Sequence, residues 1–241
     1  MKPESTHTVA LILAGGTGDR IQSTRPKQFL EIDGVPVIAR TMAAFQQHTG
    51  IESVAVVCQP QWADYVRATA ARNGIHKLTA CIDGGNSGFE SLSRGVEGLA
   101  SLGFGDDTIV LVHDAVRPLV SQRIITGNIE TCRRCGNAIT ALRCDEALAH
   151  SSDGNLVESY MPREHKYRIQ TPHTFRLADI LKACRQAATG TSASAPQSLY
   201  VLMAAQEDCT LHMTAGETRN FKLTYPEDIV FYESIAKTEC L

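Results

Sequence analysis

Apolar and polar positions follow two rhythms along this chain. Unbroken apolar runs, Val9–Leu13, Val54–Cys58, Leu78–Ile82, Ile109–His113 and Ala138–Leu142, have the length and bounds of strands buried on both faces. Between them apolar residues recur at helical spacing, over Val35–Phe45, Pro60–Asn73, Phe89–Leu102 and Gln122–Cys135, with Gly74 as a stop signal after the second. Strands alternating with helices predict a mostly parallel sheet with helices on both faces, a Rossmann-like α/β arrangement. At 241 residues the chain suits one domain, 1–241, with a full core.

The rhythm weakens from Arg143 to Arg168, which is polar and turn-rich around Ser151-Ser152-Asp153-Gly154-Asn155. Alternation over Asn155–Met161 suits a hairpin, so 143–168 is expected to project as a β-arm. Beyond it, Phe175–Ala188 and Leu199–Gln206 read as helices, and Thr210–Thr214 and Phe221–Thr224 as strands. The small polar stretch Thr189–Pro196 reads as a mobile loop. Pro226 stands at the favoured first-turn position of a last helix.

Bulk properties change this picture little. Charged residues are 20% of the chain and the formal net charge is −3, so nothing marks a nucleic-acid or membrane-surface binder. The start, Met1–His7, is polar, and a cytoplasmic enzyme is the expectation. Eight scattered cysteines then read as reduced thiols. Cys132-Arg133-Arg134-Cys135 has metal-like spacing but no second pair, and it falls late in a helix, where a redox motif would fall at the start.

The chemistry concentrates at the carboxyl ends of the expected strands, where open parallel sheets bind ligands. Gly15 to Arg20 follows the first strand, Asp83-Gly84-Gly85 the third, and Asp114 to Arg117 the fourth. Glycines there let backbone N–H groups approach phosphate oxygens, and Arg20 and Lys27 add charge suited to a triphosphate. A dinucleotide fingerprint fails, since Gly16-Thr17-Gly18 lacks a third glycine and the second strand ends Cys58-Gln59-Pro60 without an acid. Gly-Lys-Ser/Thr is also missing, which excludes a P-loop. His113 and Trp62 read as structural, and Glu227-Asp228 as acids suited to a helix dipole.

Taken together, Leu13-Ala14-Gly15-Gly16-x-Gly18-x-Arg20 and Pro26-Lys27-Gln28-Phe29-Leu30 resemble the signature of nucleotidyltransferases that activate sugar and polyol phosphates. With Asp83-Gly84-Gly85, Ser91, His113 to Pro118, Arg163, Gln170-Thr171-Pro172-x-Thr174-Phe175 and Asn220 to Asp228, the chain resembles the polyol-phosphate cytidylyltransferases over Val9–Ile235. These make CDP-methylerythritol or CDP-ribitol. The resemblance implies attack of an acceptor phosphate on the α-phosphorus of CTP with loss of pyrophosphate, catalysed by positioning and charge. It implies catalytic roles for Arg20, Lys27, Arg163 and Lys222, and nucleotide binding by Leu13, Ala14, Gly15, Gly16, Gly18, Asp83, Gly84 and Ser91. Asp114, Arg117, Arg163 and Lys222 would bind the acceptor. Mg²⁺ would be held mainly by the CTP phosphates, with no protein metal site, and the arm would exchange in a homodimer.

Three positions depart from the pattern. Gly88 stands where many relatives have arginine, Asp145-Glu146 where they have Asp-Thr, and Gln197-Ser198-Leu199-Tyr200 where they have Thr-Asp. An active enzyme and a nucleotide-binding homologue without turnover are therefore both readings to test. Leu-Ala-Gly-Gly and Asp114-Ala115-Val116-Arg117-Pro118 lean toward ribitol 5-phosphate over methylerythritol 4-phosphate.

Overall fold

The computed structural model describes residues 7–16, 25–189 and 198–238. The chain begins with β1 (Thr8–Leu13), whose apolar residues belong to both faces of the sheet: Ala10 and Ile12 to one packed layer, Val9 and Leu11 to the other. A short hairpin, β2 (Glu31–Ile32) and β3 (Val35–Pro36), leads into helix α1 (Val37–Gln47), so Val35 and Pro36 are strand rather than helix. Strand β4 (Ser53–Cys58) is buried throughout. A 3-10 turn at Pro60–Trp62 precedes α2 (Ala63–Arg72), and Gly74 follows with φ +67°. Trp62 packs its ring on Phe29 at 4.4 Å, in keeping with a structural role.

Strand β5 (Leu78–Asp83), helix α3 (Gly88–Ser101), strand β6 (Ile109–Asp114), helix α4 (Gln122–Cys135) and strand β7 (Asn137–Arg143) follow the expected alternation. The arm then carries β8 (Leu148–His150) and β9 (Ser159–Met161) as an antiparallel pair. The hairpin is therefore wider than the expected Asn155–Met161 segment. Asp153 holds its tip, its Oδ1 accepting from the backbone N–H groups of Asn155 and Leu156.

Strand β10 (Tyr167–Arg176) has no counterpart among the expected elements. Its Gln-Thr-Pro-His centre breaks the apolar run, and the register to β7 shifts between Ile169 and His173. Phe175 and Arg176 consequently belong to a strand, and helix α5 (Leu177–Thr189) begins after them. Helix α6 (Leu199–Ala204) is followed by β11 (Met213–Ala215) and α7 (Pro226–Thr238). Phe221–Thr224 is not a strand: Leu223 N–H bonds to Val116 O, and Asp228 accepts the N–H groups of Thr224 and Tyr225. That carboxylate caps the helix as well as facing its dipole. The loop expected at Thr189–Pro196 lies, from residue 190, outside the described residues.

The seven strands order β11-β7-β10-β6-β1-β4-β5. Only β10 runs antiparallel to its neighbours; β4 and β6 flank β1 in parallel, as do β5 beside β4 and β11 beside β7. The chain builds outward from β1 to β5, then crosses to β6 on the other side of β1, which makes the β1/β6 boundary the topological switch point. Among the described residues no helix is long and apolar enough to cross a membrane, and seven cysteines are free thiols. Burial pushes the Cys132 thiol up to about 11, against a redox role for its pair.

Candidate active site

A cavity of about 900 Å³ opens outside the carboxyl ends of β1, β5 and β6. Of the expected site residues, Leu13, Ala14, Gly15, Gly16, Lys27, Ser91, Asp114, Arg117 and Lys222 line it. Asp83, exposed at the end of β5, and Gly84, buried beside it, are not among the lining residues, and Arg163 lies out on the arm. Gly18 and Arg20 fall outside the described residues.

The rim at β1 and β5 is built from backbone. Ala14 N–H continues the strand ladder to Val57 O at 2.7 Å, after which the chain turns. Gln28, 2% exposed, fixes that turn by donating through Nε2 to Ala14 O at 2.6 Å and Gly16 O at 2.9 Å. Phe29 beside it is fully buried and anchors the 3-10 turn that carries Lys27 to the cavity.

The β5 loop closes on the same point. Ser91 Oγ accepts from Gly85 N–H at 3.0 Å, and a Cβ on Gly15 would approach that oxygen to 3.0 Å. A Cβ on Gly85 would overlap the Glu90 side chain, so the start of α3 packs on this turn only where a side chain is lacking. Gly84 is pinned by its N–H to Cys58 O at 2.8 Å and by Arg94 Nη1 on its carbonyl at 3.0 Å. Ser87 starts α3, its Oγ accepting from Glu90 N–H, while Glu90 returns a carboxylate oxygen to Asn86 N–H at 2.7 Å. Gly88, at the departing position, lines the cavity and has no atom within 4 Å of where its Cβ would stand.

The opposite rim is built from charged side chains. Asp114 Oδ2 takes both Arg117 Nε at 3.0 Å and Lys222 Nζ at 3.2 Å. Arg117 also donates to Asn220 O at 2.9 Å. Burial would push the Asp114 carboxyl up, but Lys222 and Arg117 together outweigh it and hold the group well below the usual carboxylate range. The group is therefore an anion that fixes two cations.

Behind this trio, Asp114 N–H donates to Thr171 Oγ1 at 3.1 Å, and that hydroxyl lies 3.0 Å from His113 Nδ1. His113 Nε2 is 3.2 Å from Arg117 O. A carbonyl can only accept, so the ring hydrogen belongs on Nε2 and Thr171 donates to Nδ1. Burial pulls His113 down to about 4, keeping it neutral, which suits a strut rather than a proton carrier.

Gln170 ties the segment carrying Lys222 to β10. Its Nε2 donates to Glu217 O at 2.9 Å, and its Oε1 accepts from Glu217 N–H at 3.2 Å and Asn220 Nδ2 at 3.3 Å. Gln28, Gln170, Thr171 and Asn220 stand inside the motifs read from the sequence but carry no role in that reading. For Gln28, Gln170 and Asn220 the signal was a polar side chain at a position the fold buries; Thr171 is half-buried beside them.

Arg163 does not enter this cavity. It is exposed, with Nη1 donating to Asp145 O at 2.8 Å. Glu146 is also exposed and absent from the wall, whereas Ser198, Leu199 and Tyr200 line its β10 end.

The sequence profile of the family described as "IspD: 2-C-methyl-D-erythritol 4-phosphate cytidylyltransferase" matches residues 8–238. A ribitol-5-phosphate cytidylyltransferase of Vibrio parahaemolyticus is 35% identical over 232 residues, covering 96% of each chain. Another of that name from Streptococcus agalactiae is 32% identical over 228 residues, 94% of each chain. A 2-C-methyl-D-erythritol 4-phosphate cytidylyltransferase of Bifidobacterium longum is 32% identical over 240 residues, 98% of this chain and 82% of that protein. In structure, a 4-diphosphocytidyl-2C-methyl-D-erythritol synthase of Anaerococcus prevotii superposes with TM-score 0.80 over 97% of both chains at 22% identity, a likeness of fold.

Proposed function

The chain belongs to the 2-C-methyl-D-erythritol 4-phosphate cytidylyltransferase family, and on that premise we propose that it transfers CMP from CTP to ribitol 5-phosphate, releasing pyrophosphate. The observation that carries this reading is the convergence of the Gly15–Gly16 turn, Lys27, Arg117 and Lys222 on one cavity. A phosphate oxygen of the acceptor attacks the α-phosphorus, and the bond to the bridging oxygen of the β-phosphate breaks. The chain supplies position and charge rather than covalent help. Lys222 meets the α-phosphate and the charge that builds on it, Arg117 the acceptor side, and Lys27 the leaving pyrophosphate.

Ribitol 5-phosphate is favoured by the names of the Vibrio and Streptococcus relatives and by the Asp114 to Pro118 segment. Methylerythritol 4-phosphate is the second reading, supported by the family description and the Bifidobacterium relative. Among the described residues no cluster of three His, Cys, Asp or Glu is arranged to hold a metal ion, and the one carboxylate beside both cations is already paired. We propose that Mg²⁺ binds through the triphosphate oxygens, where it would offset phosphate charge. Pyrophosphate release with CTP, Mg²⁺ and either polyol phosphate tests the assignment. Faster turnover of methylerythritol 4-phosphate would exchange the acceptor, and CTP binding without release from either would leave a non-catalytic homologue.

The arm is proposed to exchange with a second copy. Leu156, Val157 and Tyr160 expose 67%, 75% and 66% of their surface on it, and Arg163 projects away from its own cavity. Mixing an Arg163→Ala chain with a Lys222→Met chain tests this. Recovery of activity is expected, because one site of the mixed dimer then holds both residues; an active, strictly monomeric species in sedimentation would overturn it.

A further inference from the structure

His173 lies on β10 opposite Val112 of β6, across β6 from the glycine turn, and lines the cavity. Its side chain is 4% exposed. The backbone carbonyl of Gln170 takes a hydrogen bond from the ring, and Nε2 is buried with no partner among the described residues. The ring hydrogen therefore sits on Nδ1, and Nε2 presents a lone pair. Burial pulls the group down to about 4, so the ring is neutral and Nε2 can only accept. A buried acceptor without a donor is unfavourable unless a partner arrives, and at a cavity wall the partner can come with a ligand.

Position and chemistry narrow that ligand. The glycine loops follow β1 and β5, whereas His173 stands on the opposite flank of β6, the strand that ends in Asp114 with its partners Arg117 and Lys222. Phosphates at neutral pH offer acceptors, not the donor Nε2 lacks. Leu199, buried, and Tyr200, whose ring centroid is 6.3 Å from that of His173, supply an apolar surface for a carbon chain. A hydroxyl on such a chain supplies the missing donor.

We infer that His173 Nε2 accepts a hydrogen bond from one hydroxyl of the polyol-phosphate acceptor and so helps determine which polyol the enzyme takes. This rests on the cytidylyl transfer proposed above and deepens it. An analogue without that hydroxyl leaves Nε2 unpaired in the complex, so discrimination comes from the site's unmet need as much as from the lost contact.

The test compares ribitol 5-phosphate and methylerythritol 4-phosphate, and then monodeoxy analogues of whichever is turned over, in the wild-type chain, His173→Leu and His173→Gln. Wild type is expected to disfavour one analogue by about 10- to 100-fold in kcat/KM. In His173→Leu the acceptor KM rises by a similar factor, the preference against that analogue collapses, and the KM for CTP stays within about two-fold. His173→Gln, whose amide oxygen can accept, retains most of the preference. Preference persisting unchanged in a folded His173→Leu chain, or a parallel rise in the KM for CTP, would overturn the assignment while leaving the function standing. If His173→Leu does not fold, a wild type that takes every monodeoxy analogue equally overturns it by itself. A wild type that releases pyrophosphate with neither acceptor overturns the function and this assignment with it.

Discussion

The two rims of the cavity solve one problem, the binding of highly charged substrates, by opposite means. At the β1/β5 rim the cavity is bounded, Lys27 apart, largely by main chain, and Gln28 and Ser91 hold its carbonyls and N–H groups in place. At the β6/β10 rim the charged side chains Arg117 and Lys222 line the cavity, positioned by one shared carboxylate oxygen. A backbone rim tolerates little change of side chain where loops touch, because added atoms collide at once. A side-chain rim keeps its shape only while its charges balance.

That contrast can be broken most sharply at Lys222. Lys222→Met is expected to lower kcat by about 10²- to 10³-fold with a smaller change in the KM for CTP, read by steady-state pyrophosphate release. A rise in KM alone would show that the charged rim binds but does not act on the reacting phosphate. Asp114→Asn comes next, with kcat/KM for the acceptor falling by about 10- to 100-fold as two adjacent cations lose their shared anion.

Behind the same rim, His113 and His173 are neutral when folded, each pulled down to about 4 by burial, against about 6.5 in an unfolded chain. As the pH falls from about 6.5 toward 4 the unfolded chain takes up protons that the folded chain does not. Their contribution is thus full above that window and is lost within it, at about 1.4 kcal/mol per pH unit for each ring. Urea unfolding across that range should show the slope, and His113→Gln, which keeps a donor and an acceptor, should remove about half of the two rings' share. The backbone rim predicts the smallest effect. Gln28→Met, which loses both carbonyl contacts at nearly constant volume, should raise the KM for CTP by about ten-fold and leave the acceptor KM nearly unchanged.

The same division explains what could be read in the chain before folding. Continuous strands such as Val54–Cys58 declare themselves because burial on both faces demands apolar residues throughout. Asp114, Arg117, Lys27 and Lys222 are conspicuous because each is a charge inside a short motif that stands out along the chain. Strand β10 was opaque for the converse reason: Gln170 and Thr174 are polar yet buried, satisfied by tertiary partners that no local pattern discloses. The expected strand at Phe221–Thr224 failed because its apolar residues serve a small cluster beneath α7 rather than a ladder. Arg163 was legible as a residue but not as a location, since its place depends on how the arm leaves the domain.

The arm's departure has a practical side. Arg143 and Tyr167 are paired neighbours on adjacent strands, and Cys144 N–H bonds to Lys166 O at 3.0 Å, so the insertion leaves and re-enters the sheet at one hydrogen-bonded point. Everything from 145 to 165 is thus a detachable module, and a two-residue Asn-Gly turn could bridge its base. Closing a shorter loop favours the folded chain by a small entropic margin. The excised protein should fold, keep its CTP rim and lack Arg163, and titration calorimetry with CTP would check it. Such a scaffold would let arms from relatives be grafted at a single seam, separating what the domain binds from what the arm contributes.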